Sequence, residues 1–220
     1  MAKKIETRVR RNSTSSTSSQ SILLEQFRAL NSDYIQQRGE GVIRMNFFIA
    51  AISVVLGSAL VFASRNNQTM IPHFRLVLLS ALVILATIGL DVYSFLIQRN
   101  IDIDRDIRGM ARVKTYFVNL DPGLENFFVN GIHDTPTDFL TTKGFGMRWS
   151  AEIIMGFLLG FIFAVLSSDF PLALEVDILI GVSMGIFTTL LLENNARRHL
   201  EKARRKAERE LNLTKNVTAK

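Results

Sequence analysis

Residues 45–63 are nineteen in a row without a charge, and three further apolar runs follow at 76–90, 153–168 and 178–192. A helix rises about 1.5 Å per residue, so nineteen residues cover the ~30 Å hydrocarbon core of a bilayer. The second run reaches that length by continuing to Ile97 past Asp91. The fourth reaches it by starting near Pro171 and accepting Glu175 and Asp177. Runs this long and this apolar do not suit the surface of a soluble domain. The expected fold is an all-α membrane protein: four transmembrane helices with cytoplasmic helical extensions.

Charge sets the expected orientation. Eight Lys and Arg precede the first run, seven lie between 98 and 149, and nine follow Leu192, whereas the two short connections hold only Arg65 and Arg75. Basic residues collect on the cytoplasmic side of a membrane, so both termini and the middle region are expected there. The formal net charge of +6 then reads as contact with anionic headgroups rather than with nucleic acid. The placement that follows is an integral membrane protein with both termini cytoplasmic. Residues 1–21 are basic and then Ser/Thr-rich, with no apolar core of a cleavable signal, so the first run is expected to direct its own insertion.

Six segments are expected. A disordered arm covers 1–21, because NSTSSTSSQS has nothing to bury. An amphipathic cytoplasmic helix covers 22–40, where Leu23, Phe27, Leu30 and Tyr34 form one stripe. It would lie on the membrane surface or pack on other cytoplasmic elements. Gly39 and Gly41 are expected to break or bend the path, and Glu40 to pair with Arg44 one turn on. The first transmembrane hairpin covers 42–97, turning near Asn66, Asn67 and Pro72. A glycosylation sequon at Asn67 is read as coincidence.

The middle region covers 98–149. Ile103, Ile107, Met110, Val113 and Phe117 carry a helical stripe beyond the second run, with Asp104 and Arg108 paired on its polar face, until Asp121-Pro122-Gly123 ends it. A short helix at LENFFVN follows. Trp149 and Arg148 are expected at the headgroups, with Glu152 anchored to Arg148. The second hairpin covers 150–192 and turns at Asp169-Phe170-Pro171. A basic tail helix covers 193–220.

The spans carry two spacing motifs, Gly156-x-x-x-Gly160 and Gly181-x-x-x-Gly185. Glycine at this spacing clears a stripe for the close approach of another backbone, either within one subunit or between subunits. Asp91 is the only carboxylate well inside a span, a position suited to a partner, a cavity or a pathway, yet it lies only ~9 Å of helix rise from the inner end at Ile97, within reach of water. Reactive constellations are missing from the sequence. His73, His133 and His199 are far apart, and Cys is absent, which excludes disulfides and thiol chemistry. No enzyme activity, metal or cofactor is expected. Basic residues remain: Arg99, Arg105, Arg108, Arg112 and Lys114 on the extended second helix, and Arg197, Arg198, Arg204 and Arg205 on the tail. Repeated around a homo-oligomer, these rows would form a ring for an anionic nucleotide or oligonucleotide.

A basic N-terminal arm, four spans, a cytoplasmic middle region and a basic tail give the chain an architecture that resembles the small bacterial membrane effectors of anti-phage defence. The resemblance implies a bacterial inner membrane and a few spans coupled to a cytoplasmic part that senses a nucleotide-type signal, and assigns no residue roles. The expected function is a homo-oligomeric channel or pore-forming effector gated from the cytoplasm. The alternative is a non-conducting scaffold that recruits a cytoplasmic partner.

Overall fold

The computed structural model describes residues 2–64, 71–128, 134–140, 146–167 and 174–218; the side chains of 2–19, 62–64, 71–73, 174 and 213–218 lie outside that description. The expected turns around Asn67 and Asp169, together with His133, also fall outside it. The described residues are all-helical. Four long helices, α1 (Ala2–Ser64), α2 (Ile71–Leu120), α3 (Met147–Ser167) and α4 (Leu174–Thr218), are joined in the middle region by two 3-10 turns, Pro122–Phe127 and Asp138–Leu140. All four are long and apolar enough to cross a membrane.

α1 is one helix of 63 residues, about 95 Å of rise. The expected breaks at Gly39 and Gly41 do not occur. A glycine costs a helix only about 1 kcal/mol, and the stripe that starts at Leu23 runs through both glycines. Leu23, Phe27, Leu30, Tyr34 and Gln37 are half-buried, and Gly41, Met45 and Phe48 continue the same face as buried positions. One seam thus serves the membrane-length part and its extension. The same helix includes residues 2–21, expected to be disordered. Adding residues to an existing helix avoids the cost of a new nucleus.

The seam of α1 packs along α2. Leu30 closes over Gly109, and Gln37 donates 3.1 Å to Asp106. The extension of α2 therefore has the N-terminal helix as its partner. α2 ends where expected: Asp121 caps the 3-10 turn by accepting from the Gly123 amide at 3.0 Å, with Pro122 in the first turn. The main core lies where α1, α2 and α3 meet, with Phe48, Leu82, Leu96, Met155 and Leu158 buried at its centre. α4 joins through Tyr93, Ile97 and Ala196. Only 17% of the apolar window of α1, and the same share of that of α4, is buried inside the chain. Their remaining apolar surface faces outward.

Candidate functional site

The tightest packing is between α3 and α4, and the four motif glycines make it. A Cβ on Gly156 would stand 2.7 Å from the carbonyl oxygen of Gly185, and one on Gly185 would stand 2.9 Å from the carbonyl oxygen of Gly156. One turn further, a Cβ on Gly181 would lie 2.8 Å from the Gly160 carbonyl oxygen. Backbone meets backbone, so any side chain at these positions forces the helices apart. Of the two readings of the motifs, packing within one chain is the one observed. On the outer side of this contact lies an apolar groove of about 570 Å³, walled by Phe157, Phe161, Val182 and Ile186.

At the end of this pair sits a four-member charge cluster. Arg148 donates to Glu152 at 2.5 Å and to Glu193 of α4 at 2.6 Å, and Glu193 also accepts from Arg197 at 2.7 Å. Glu152 is fully buried and Arg148 is 7% exposed. The pairing of Arg148 with Glu152 is as expected, and Arg148 is buried with it. It is held inward because Glu193, remote in sequence, supplies a second carboxylate. The Tyr93 hydroxyl donates 2.5 Å to the Leu192 carbonyl beside it and so ties α2 to the same place.

A second cluster organises the middle region. Asp104 accepts from the Thr137 amide at 2.7 Å, from the Thr137 hydroxyl at 2.9 Å and from Arg108 at 3.0 Å. Arg108 also faces Asp134 at 3.7 Å and Glu210 of α4 at 3.6 Å, and Arg112 donates to Asp134 at 2.5 Å. The expected Asp104–Arg108 pair exists, yet on no polar face: both residues are buried. Residues 134–140 fold back over the helix and cover it. One guanidinium thereby links α2, the middle region and the tail.

Asp91 stands apart from these buried clusters. Its side chain is 78% exposed and pairs with Arg44 of α1 at 3.8 Å, while the Arg44 guanidinium lies 3.9 Å from the centroid of the Phe95 ring. The expected Glu40–Arg44 pair is absent: Glu40 accepts from Gln36 at 2.8 Å, and Arg44 turns toward α2. Asp91 thus lies on the outer surface of an apolar helix with one partially exposed cation beside it.

The nine basic residues expected to bind an anion do not form one site. Arg108, Arg112, Arg197, Arg204 and Arg205 each face a carboxylate of the chain. Arg99 lies against Gly41 and donates to the Met147 sulfur at 3.6 Å. Burial, with Arg38 nearby, lowers its affinity for the proton. Lys114 stacks over the Phe128 ring at 5.6 Å, and burial pushes its ammonium pKa down. Arg105 and Arg198 are exposed. Among the described residues no group of His, Asp and Glu is placed to hold a metal ion. The sequence reading missed Gly89, where a Cβ would stand 2.6 Å from the Phe48 ring. Being single, that glycine shows no motif. Glu193 was missed as well, lying at the junction of a span and the tail.

Comparison with protein-family models, with curated proteins and with solved structures finds no match for this chain. The chemistry available among the described residues includes buried ion pairs that fix helices and the exposed Asp91 carboxylate on the apolar part of α2.

Proposed function

We propose that the chain is an integral membrane protein of four spans, with both ends and the middle region cytoplasmic, that assembles from identical copies into an ion-conducting channel. The observation that carries this reading is Asp91, a carboxylate 78% exposed on the outside of an apolar helix. A charge facing lipid at the middle of a bilayer costs about 3 kcal/mol by insertion scales, and Asp91, ~9 Å of helix rise inside Ile97 and paired with Arg44, bears a part of that cost. A face shared with further copies, open to water, removes the cost. The largely outward apolar surface of α1 and α4 supports the membrane placement.

Gating by an anionic nucleotide or oligonucleotide is the finer part of the proposal. It now rests on the exposed Arg105 and Arg198 and on the junction at Arg108, because an anion there would compete with Asp134 and Glu210 and loosen the tail from α2. A role in anti-phage defence rests on architecture alone.

The test is ion efflux from liposomes carrying the purified protein, with and without nucleotides. Efflux above protein-free liposomes, reduced in Asp91→Asn because a carboxylate ring draws cations into a pore, is expected. Efflux at the protein-free level under every ligand would reject the channel. The second reading, a scaffold, is favoured by exposed Ile22, Leu24 and Ile35 on the extension of α1. It predicts a co-purifying partner and no efflux.

A further inference from the structure

Asp91 is one member of a continuous polar row. Ser80, Ile84, Thr87, Asp91, Ser94 and Gln98 follow one another at steps of four, three, four, three and four, and all six are exposed. Steps of this kind keep to one face of a helix. Five of the six are polar, although the helix around them is apolar enough to span a membrane. The flanking exposed positions, Leu76, Val77, Val83 and Leu90, are apolar. The polarity is therefore confined to one line.

The row runs eighteen steps from Ser80 to Gln98, about 27 Å of helix rise, which is nearly the full ~30 Å of a hydrocarbon core. A solitary buried site would need polar groups at one depth only; these occur at every second turn or closer. The hydroxyls of Ser80 and Thr87 bond their own helix, to the carbonyls of Leu76 at 2.9 Å and Val83 at 3.0 Å. Each carbonyl and hydroxyl keeps further lone pairs for water. The core-facing side of α2, with Leu82, Leu85, Gly89 and Leu96, is already occupied by α1 and α3. The row points away from it.

We infer that the Ser80–Thr87–Asp91–Ser94–Gln98 face of α2 is the pore lining: α2 helices of several copies surround one axis, and this row faces the water along it. The inference rests on the membrane placement and the assembly proposed above, and names the surface that conducts. The rival face is on α1, where Asn46, Ala50, Ser53 and Gly57 are also exposed. That face is small rather than charged.

The chain contains no Cys, so single-cysteine variants report cleanly. Ser80→Cys, Thr87→Cys and Ser94→Cys are compared with Val83→Cys and Leu90→Cys on the flanks and with Asn46→Cys and Ser53→Cys on α1. All are exposed positions, and each variant is first required to elute as the wild type does. The protein in liposomes is treated on both sides with a charged, membrane-impermeant electrophile that a cysteine thiolate attacks, so reaction needs water at the site to ionise the thiol and admit the reagent. The three row positions are expected to react about tenfold or more faster than the flank positions. Uniformly slow reaction at the row, or fast reaction at 46 and 53 instead, would overturn the assignment. Fast reaction at the row without ion efflux would support a water-lined face while rejecting conduction. Efflux with an unreactive row would leave the channel standing and remove α2 from its lining.

Discussion

The α3–α4 pair and the α1–α2 pair solve the same packing problem differently. α3 and α4 meet backbone to backbone through four glycines and lock their end with Arg148, Glu152 and Glu193. α1 and α2 meet through side chains, Phe48 against Gly89 and Arg44 over Phe95. The first pair closes within one chain: buried Arg148 faces Glu152 and Glu193, and the outer groove is apolar. The second pair leaves Asp91 and a polar row on its surface. One hairpin behaves as a fixed frame, and the other presents the face that needs further copies.

Breaking the frame should have the largest effect. Arg148→Ala leaves fully buried Glu152 without its cation and half-buried Glu193 with Arg197 alone, and is expected to cost about 3–5 kcal/mol. The denaturant midpoint of the detergent-solubilised protein should fall accordingly. A shift no larger than that of a surface substitution would show that the cluster does not hold α3 to α4. Next comes Gly160→Leu, which forces a side chain against the Gly181 backbone, at about 3 kcal/mol. Separation of α3 from α4, read as distance between paired spectroscopic labels, should increase with it.

The α1–α2 contact should be more forgiving. Gly89→Ala meets the Phe48 ring and the end of Met155, both able to turn aside. A loss of about 1–2 kcal/mol is expected in the same unfolding assay. A larger loss than for Gly160→Leu would reverse the ranking of the two interfaces.

The smallest effect concerns pH. Burial, reinforced by Asp33 and Asp102, pushes the Asp106 carboxyl above its ordinary 3.8. The folded chain thus holds this proton more tightly than the unfolded chain does. Stability from this group rises as pH falls through the folded value, is complete below 3.8 and is absent above the folded value. Asp106→Asn should remove that slope and change stability at neutral pH by less than about 1 kcal/mol. An unchanged slope would point to another group.

Much of the frame was legible in the sequence. Apolar run length marked four helices, the stripe from Ile103 to Phe117 carried α2 past its apolar part, and Asp121-Pro122 stopped it. The paired glycine motifs marked the closest helix contact, since repeated small residues have few other uses in a span. What could not be read was set by residues far apart in the chain. Arg148 looks like an interfacial anchor until Glu193 is brought beside it. Asp104 and Arg108 look like a solvated pair until Thr137 and Asp134 return to cover them. The arginine row looks like an anion site until each partner carboxylate is placed. Local spacing reports a helix face; which faces are covered depends on the path of the whole chain.

The most direct test of the central claim is the symmetry of the detergent-purified particle in electron-microscopy class averages, followed to a map that resolves the helices. The account predicts a closed ring of identical copies with α2 nearest the axis and Asp91 facing it. A monomer, or a ring with α2 on the lipid-facing perimeter and Asp91 away from the axis, would contradict it.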